Sequence, residues 1–75
     1  MSVPSQHRDV FTLRQLRHLM MRLRKLDFGV SEVIEHRFIR ERGAQETAKL
    51  LNISLSTVNA RSRAGLTWLR WHMKN

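Results

Sequence analysis

The stretch GAQETAKLLNISLSTVNARSRAGLTWL, Gly43 to Leu69, constrains the fold more than any other part of the chain. It reads as a short helix, a tight turn and a longer second helix. Thr47, Ala48 and Leu51 share one face of the first by i, i+3, i+4 spacing. Ala48 is small there, where a bulky side chain would hold the two helices apart. Asn52 follows, and Asn tolerates the left-handed backbone that ends a helix. Ile53 supplies an apolar plug under the turn, and Ser54 can cap the next helix by accepting one of its orphan amides. Val58 then points back at Ala48 and Leu51. Two helices so joined form a helix-turn-helix, whose second helix commonly enters the DNA major groove.

The flanks predict the rest of an all-α, small four-helix domain. Residues 1 to 8 form a polar tail containing Pro4, expected to be disordered, and residues 9 to 75 a single domain. Asp9 can cap a first helix over Val10 to Leu26. Leu13, Leu16, Leu19, Met20, Leu23 and Leu26 give it a broad apolar stripe at helical spacing. Arg14, Arg17, Arg24 and Lys25 lie opposite, with Met21 among them. Gly29 is expected to end this helix in the left-handed region, and Phe28 to tuck into the core. Ser31 is expected to cap a second helix, with Glu32 and Glu35 at the positive end of its dipole, Val33, Ile34 and Phe38 facing inward, and Ile39 offset towards the first helix. Arg40 and Arg42 suit its negative end, and Gly43 is read as its stop.

The third helix is placed from Ala44 to Leu51 and the fourth from Leu55 to Met73, with the helix-turn-helix over 44 to 70. Val58, Leu66, Leu69 and Met73 form the inner face of the fourth helix. Gly65 within it costs about 1 kcal/mol relative to Ala, so a close helix crossing is expected there. Trp68 is expected to close the core against the first helix and Trp71 to be partly exposed.

With its lead-in, SEVIEHRFIRERGAQETAKLLNISLSTVNARSRAGLTWLR resembles region four of bacterial sigma factors. The resemblance is carried by Glu32-Val33-Ile34, Arg37-Phe38, Gly43, Glu46, Ala48, Leu51, Ile53-Ser54, Ser56-Thr57-Val58 and Trp68-Leu69-Arg70. Less closely, the chain is similar to the DNA-binding domain of LuxR-type regulators, which share the core of Glu46, Ala48, Leu51, Ile53-Ser54 and Thr57-Val58. The resemblance implies a bacterial transcription protein, and its compact form suits a mobile element or phage. It departs from the sigma pattern at Leu55, Ser56 and Ala60, where long polar residues commonly read the promoter, and at Ser62, where a bulky apolar residue is usual. A separate region that binds core polymerase and melts DNA does not fit within 75 residues, so the expectation is a stand-alone region-four-like module.

Composition narrows the function. The net charge is +8 and the pI about 11.8, which favours a polyanionic partner, most simply double-stranded DNA. There is no Cys, hence no disulfide framework or thiolate metal site. No apolar run approaches the roughly 18 residues of a membrane span, and MSVPSQHRDV lacks the apolar core of a secretion signal, so the protein is expected to be cytoplasmic, with no membrane partner. A basic amphipathic first helix could lie on a membrane, but the other helices need it as a cover. His7, His18, His36 and His72 have no metal-ligand spacing, there is no phosphate-cradling glycine loop, and nothing sets a nucleophile beside a base. The expectation is a non-enzyme without cofactor or metal.

Two functional readings remain. In the first, a small DNA-binding transcriptional regulator uses Ser56, Thr57 and Asn59 on base edges, Leu55 and Ala60 beside them, and Lys49, Arg61 and Arg63 on phosphates. Leu55 can equally be packing over the turn. A homodimer through the end of the last helix is implied by the LuxR-like resemblance. In the second, the chain is a protein-binding module, an antiactivator, co-sigma or anti-sigma-like factor. It would grip RNA polymerase, on whose beta-subunit flap region four of sigma factors docks, or another transcription regulator. Met21, Trp71 and Met73 are its candidate contacts.

Overall fold

The computed structural model describes residues 13–73, and the expected tail, the Asp9 cap, His7 and the first turn of the first helix lie outside them. Within the described residues the chain is all-helical. Helix α1 spans Leu13–Leu26 and α2 Phe28–Ile34, the latter running on into a π-helical segment, Glu35–Ile39. Helix α3 spans Ala44–Leu51 and α4 Leu55–Met73.

A one-residue joint separates α1 from α2. The Asp27 amide still donates to the Leu23 carbonyl at 2.7 Å, closing α1. Its backbone then extends (φ −156°, ψ 94°), and its carboxylate accepts from the Val30 amide at 3.1 Å. Asp27 is therefore the N-cap of α2, the role the sequence reading gave to Ser31. Ser31 instead sits inside α2, buried, with its hydroxyl donating to the Phe28 carbonyl at 2.8 Å. Gly29 is likewise helical, and no glycine has a positive φ among the described residues. The early restart of α2 also turns Phe28 outward. It is 50% exposed, with the Arg24 guanidinium 4.9 Å over its ring.

The end of α2 differs from expectation as well. The Arg40 amide donates to the Glu35 carbonyl five residues back, at 2.9 Å, so one residue has been added to the turn. Glu41, at φ 56°, then breaks the helix. Gly43 (φ −72°, ψ 164°) is not the stop of α2 but the N-cap residue of α3, with its carbonyl accepting from the Thr47 amide at 3.0 Å. The widened turn leaves Phe38 exposed rather than inward, while Ile39, also exposed, lies beside Leu13, Leu16 and Met20 of α1, the offset expected of it. Arg37 Nη1 donates to the Arg42 carbonyl at 3.0 Å and ties down the loop.

The core joins α1, α2 and α4. Leu19, Met20 and Leu23 meet Val30, Ile34 and Leu69, with Leu16, Leu66 and Trp68 packed at the margin. Trp68 thus closes the core on the α1 side, and Arg22 of α1 lies 5.7 Å over its ring. Only the middle of the α1 stripe is used: Leu13 is 74% exposed and Leu26 65%. Helices α2 and α4 reach the centre of α1 but not its ends. Met73 is also exposed, one turn beyond the last buried residue of α4, Leu69.

The crossing expected at Gly65 is present. A Cβ built there would collide with Ile34 Cγ1 and come within 2.5 Å of Ile34 Cδ1 and 3.0 Å of Val30 Cγ1. Ile34 is itself 1% exposed and enclosed in the core. One helical turn before Gly65, Ser62 is buried and its hydroxyl has no hydrogen-bond partner. The pattern's usual apolar residue is thus replaced by an unsatisfied polar atom.

Two stability measurements check these packing statements. Gly65→Ala gains about 1 kcal/mol in helix propensity but is overpacked by about 1–3 kcal/mol, so its melting temperature falls; a rise would mean that α2 and α4 are not held this close. Ser62→Ala removes the unsatisfied hydroxyl and raises stability by about 0.5–1 kcal/mol in a denaturant titration; a loss would reveal a partner for that hydroxyl.

Candidate nucleic-acid interface

The turn between α3 and α4 is closed at both ends by local hydrogen bonds. Asn52 adopts the left-handed conformation (φ 59°, ψ 47°). Its amide donates to the Lys49 carbonyl at 3.3 Å, and the Ile53 amide to the Ala48 carbonyl at 3.0 Å. This pair of bonds is a Schellman motif, which satisfies the last carbonyls of α3. Ser54 then caps α4: its Oγ accepts from the Thr57 amide at 3.0 Å, and its carbonyl accepts from the Val58 amide at 3.0 Å. The Ser54 hydroxyl donates to Thr57 Oγ1 at 2.8 Å and lies 3.2 Å from Ser56 Oγ. Since Ser54 has a single proton, and that proton points at Thr57, the bond to Ser56 has Ser56 as donor. The three hydroxyls thus form one chain at the N-terminus of α4.

Beneath the turn, Val33, Thr47 and Val58 put one fully enclosed residue on each of α2, α3 and α4. The Thr47 hydroxyl has no partner there. This enclosed layer sets how α4 presents its outer side. Val58, Ser62, Gly65 and Leu69 are buried at helical spacing. At about 100° per residue, the stripe opposite carries Ser56, Ala60, Arg63, Ala64, Thr67 and Trp71, all exposed, and Asn59 and Arg70, also exposed, lie along one edge of it, roughly 90–110° from the buried face.

The eight candidate DNA-contacting residues divide on this geometry. Ser56, Ala60 and Arg63 share the outward stripe, and Asn59 is exposed at its edge, about a quarter-turn from the buried face. Leu55, the first residue of α4, is 40% exposed, so packing over the turn covers it only in part. Thr57 is half-buried and engaged in the cap. Lys49 is exposed on α3. Arg61 is set apart from the others. It is half-buried and folds its guanidinium over α2, where a Cβ on Gly29 would lie 2.9 Å from its Nη1 and 3.2 Å from its Cζ. Arg70 was passed over in the sequence reading. It is exposed and seven residues beyond Arg63, two helical turns along the same stripe, which was the signal available for it.

The candidate partner contacts do not form one patch. Trp71 is 72% exposed, and Met73 and Met21 are exposed too. Trp71 and Met73 lie on roughly opposite sides of α4, and Met21 is on α1. Trp71 belongs instead to an open hollow of about 660 Å³ running along α4 past Ala60, Arg63, Ala64, Thr67 and Trp68. Among the described residues no group of three or more His, Asp or Glu side chains could hold a metal ion, and no helix is long and apolar enough to cross a membrane.

No curated protein and no solved structure matches the chain significantly. The family model described as "Sigma-70, region 4" matches residues 22–70, from the middle of α1 to the outward Arg70 of α4. That is well over half of the sequence and includes the whole helix-turn-helix. This family is a helix-turn-helix family of DNA-binding, non-enzymatic domains of transcription that engage DNA and RNA polymerase. The chain belongs to the sigma-70 region 4 family.

Proposed function

We propose that this protein is a small transcriptional regulator that binds duplex DNA by laying the outward stripe of α4 in the major groove. The observation that carries the reading is the line of Ser56, Ala60 and Arg63 on the side of α4 opposite its buried face, with Asn59 and Arg70 exposed along one edge of that line. Asn59 is the one member suited to bidentate recognition, with adenine as its natural partner. Ser56, committed as a donor to Ser54, has acceptor capacity facing outward. Ala60 and Leu55 add apolar contact of the kind a thymine methyl accepts. Base reading thus rests on few groups, while Arg63, Arg70 and Lys49 supply the charge for the phosphates. Arg61 acts here as a strap between α4 and α2 instead.

A second reading, a protein-binding module acting on polymerase or on another regulator, is favoured by one feature. The hollow that contains Trp68 and Trp71 is mainly apolar, and duplex DNA gains little from such a surface.

The test of the first reading is a titration of duplex DNA, random in sequence or taken from the protein's own promoter, over a range of salt. Affinity should fall linearly in log–log form with salt. Arg63→Gln and Arg70→Gln should each lower that slope by about 1, while Arg61→Gln should leave it nearly unchanged and reduce thermal stability. Asn59→Ala should remove most of any preference for the promoter. A slope unmoved by Arg63→Gln, or one moved chiefly by Arg61→Gln, would refute this placement of the helix.

A further inference from the structure

We propose that the cleft between the first half of α1 and the π-helical segment is the contact through which two copies of this chain form a two-fold dimer. The proposal goes beyond both readings above and rests on neither, because the surface lies outside α3 and α4.

The apolar stripe of α1 is longer than the helices that cover it, and its uncovered beginning is not flat. Leu13, Leu16 and Met20 line a hollow of about 220 Å³, and Ile39 closes it from the end of the π-helical segment. Two elements build it, so it is a cleft between helices. Met20 is buried and forms its floor, whereas Leu13 stands out at one end and Ile39 forms an exposed lip. Phe38, also exposed, precedes that lip in the chain. A contiguous apolar surface left open in this way marks an interaction site. A domain this small buries only about 60% of its unfolded surface, and such domains are commonly stabilised by association.

Charge selects the occupant. The rim of the cleft carries one cation, Arg17, and one acid, Glu35. That balance is unusual in this chain, since neither α1 nor α4 contains a single acid. An acidic partner would be repelled by Glu35, and a basic one by Arg17. A surface with one of each is matched by its own copy, because a two-fold contact sets residue i against j and j against i. Arg17 of each copy then meets Glu35 of the other, and Leu13 of each seats in the other's cleft beside Met20 and Ile39. Glu35 can accept this second cation. Its Oε2 accepts from Arg40 Nε at 3.4 Å, a long and exposed contact, and a carboxylate has acceptor sites to spare. Within one copy Arg17 is not engaged there: among the described residues the ion pair of Glu35 is with Arg40. The +8 on each copy opposes approach at long range, but at physiological salt that repulsion is screened beyond about 8 Å, whereas the crossed pairs act in contact.

The test is sedimentation of the full chain without DNA, at physiological salt, from about 1 μM to about 1 mM, the range in which a small interface is populated. A reversible monomer–dimer equilibrium is expected. Leu13→Gln, at a position 74% exposed, should weaken the dimer at least about tenfold and leave the melting temperature of the dilute monomer unchanged. Arg17→Glu and Glu35→Lys should each weaken it by a similar factor. Mixing these two single variants should restore a dimer, because each then supplies the charge that the other lacks. The double variant should dimerise with itself for the same reason. Rescue by mixing cannot arise from a contact within one copy, and circular dichroism of each variant alone checks that its helices are kept. A chain that stays monomeric throughout would overturn the proposal. If it does so and Leu13→Gln also lowers its melting temperature, the cleft belongs to the chain's own residues before Leu13. A dimer that survives Leu13→Gln, or single variants that mixing does not rescue, would overturn it in favour of a contact elsewhere, such as the end of the last helix. No DNA enters these measurements, so the proposal and the DNA reading fail separately.

Discussion

The absent side chain at Gly65 is the constraint on which the rest of the structure depends. It lets α4 lie directly against Ile34 and Val30 of α2, closer than any Cβ would permit. That contact fixes the rotation of α4 about its own axis, because Val58, Ser62 and Leu69 are buried on the same side as Gly65. Once the rotation is fixed, the identity of the outward stripe follows: Ser56, Ala60, Arg63 and Thr67 face away from the domain, with Asn59 and Arg70 along one edge. A residue with no side chain thus decides which side chains are offered to a partner. The helix-propensity cost of about 1 kcal/mol is offset by the enclosure of Ile34 and Val30, both buried.

The parts of the fold legible in the sequence are those whose signals are local and have one meaning. Asn52, Ser54 and Val58 were readable because a left-handed stop, a hydroxyl cap and an apolar residue three positions into a helix fit only one arrangement of the turn. The α1–α2 joint was not readable in the same way. Asp27, Gly29 and Ser31 can each end a helix or begin one, and which does so depends on how far α1 runs before its next turn loses its core. Here Asp27 does both jobs in one residue, its amide ending α1 and its carboxylate starting α2. The π-helical segment left no composition signal at all. A single extra residue in the turn from Glu35 to Ile39 moved Phe38 off the inner face, although its spacing from Ile34 suited burial there. Leu13 and Leu26 show the same limit from another side: periodicity gives the width of an apolar stripe but not the length of the neighbours that cover it.

The candidate interface was legible by position along the chain and less so by direction. Counting from the turn placed the recognition helix and singled out Ser56, Asn59 and Ala60. Two arginines two residues apart, Arg61 and Arg63, look equivalent on paper, yet 200° separates them around the axis. One reaches back to Gly29 and the other faces out. The same rotation that removes Arg61 from the outer face adds Arg70 to it. The buried face of α4 was needed to tell these cases apart, and Gly65 was the residue that defined it.

The distribution of charge follows the same division of the molecule. In the first part of the chain acids serve structural ends: Asp27 caps α2, and Glu35 pairs with Arg40 at 3.4 Å on an exposed surface where such a pair contributes little. Past Glu46 there is no acid to neutralise an arginine. Cations on α4 therefore have no acidic partner on their own helix. Arg61 has taken the backbone surface at Gly29. Arg63 and Arg70 face outward, where an external anion can complete them, and the apolar recess beside them adds a demand that phosphate alone does not meet. A surface that is positive along one edge and indole-lined along the other discriminates between polyanions by what lies next to the charge.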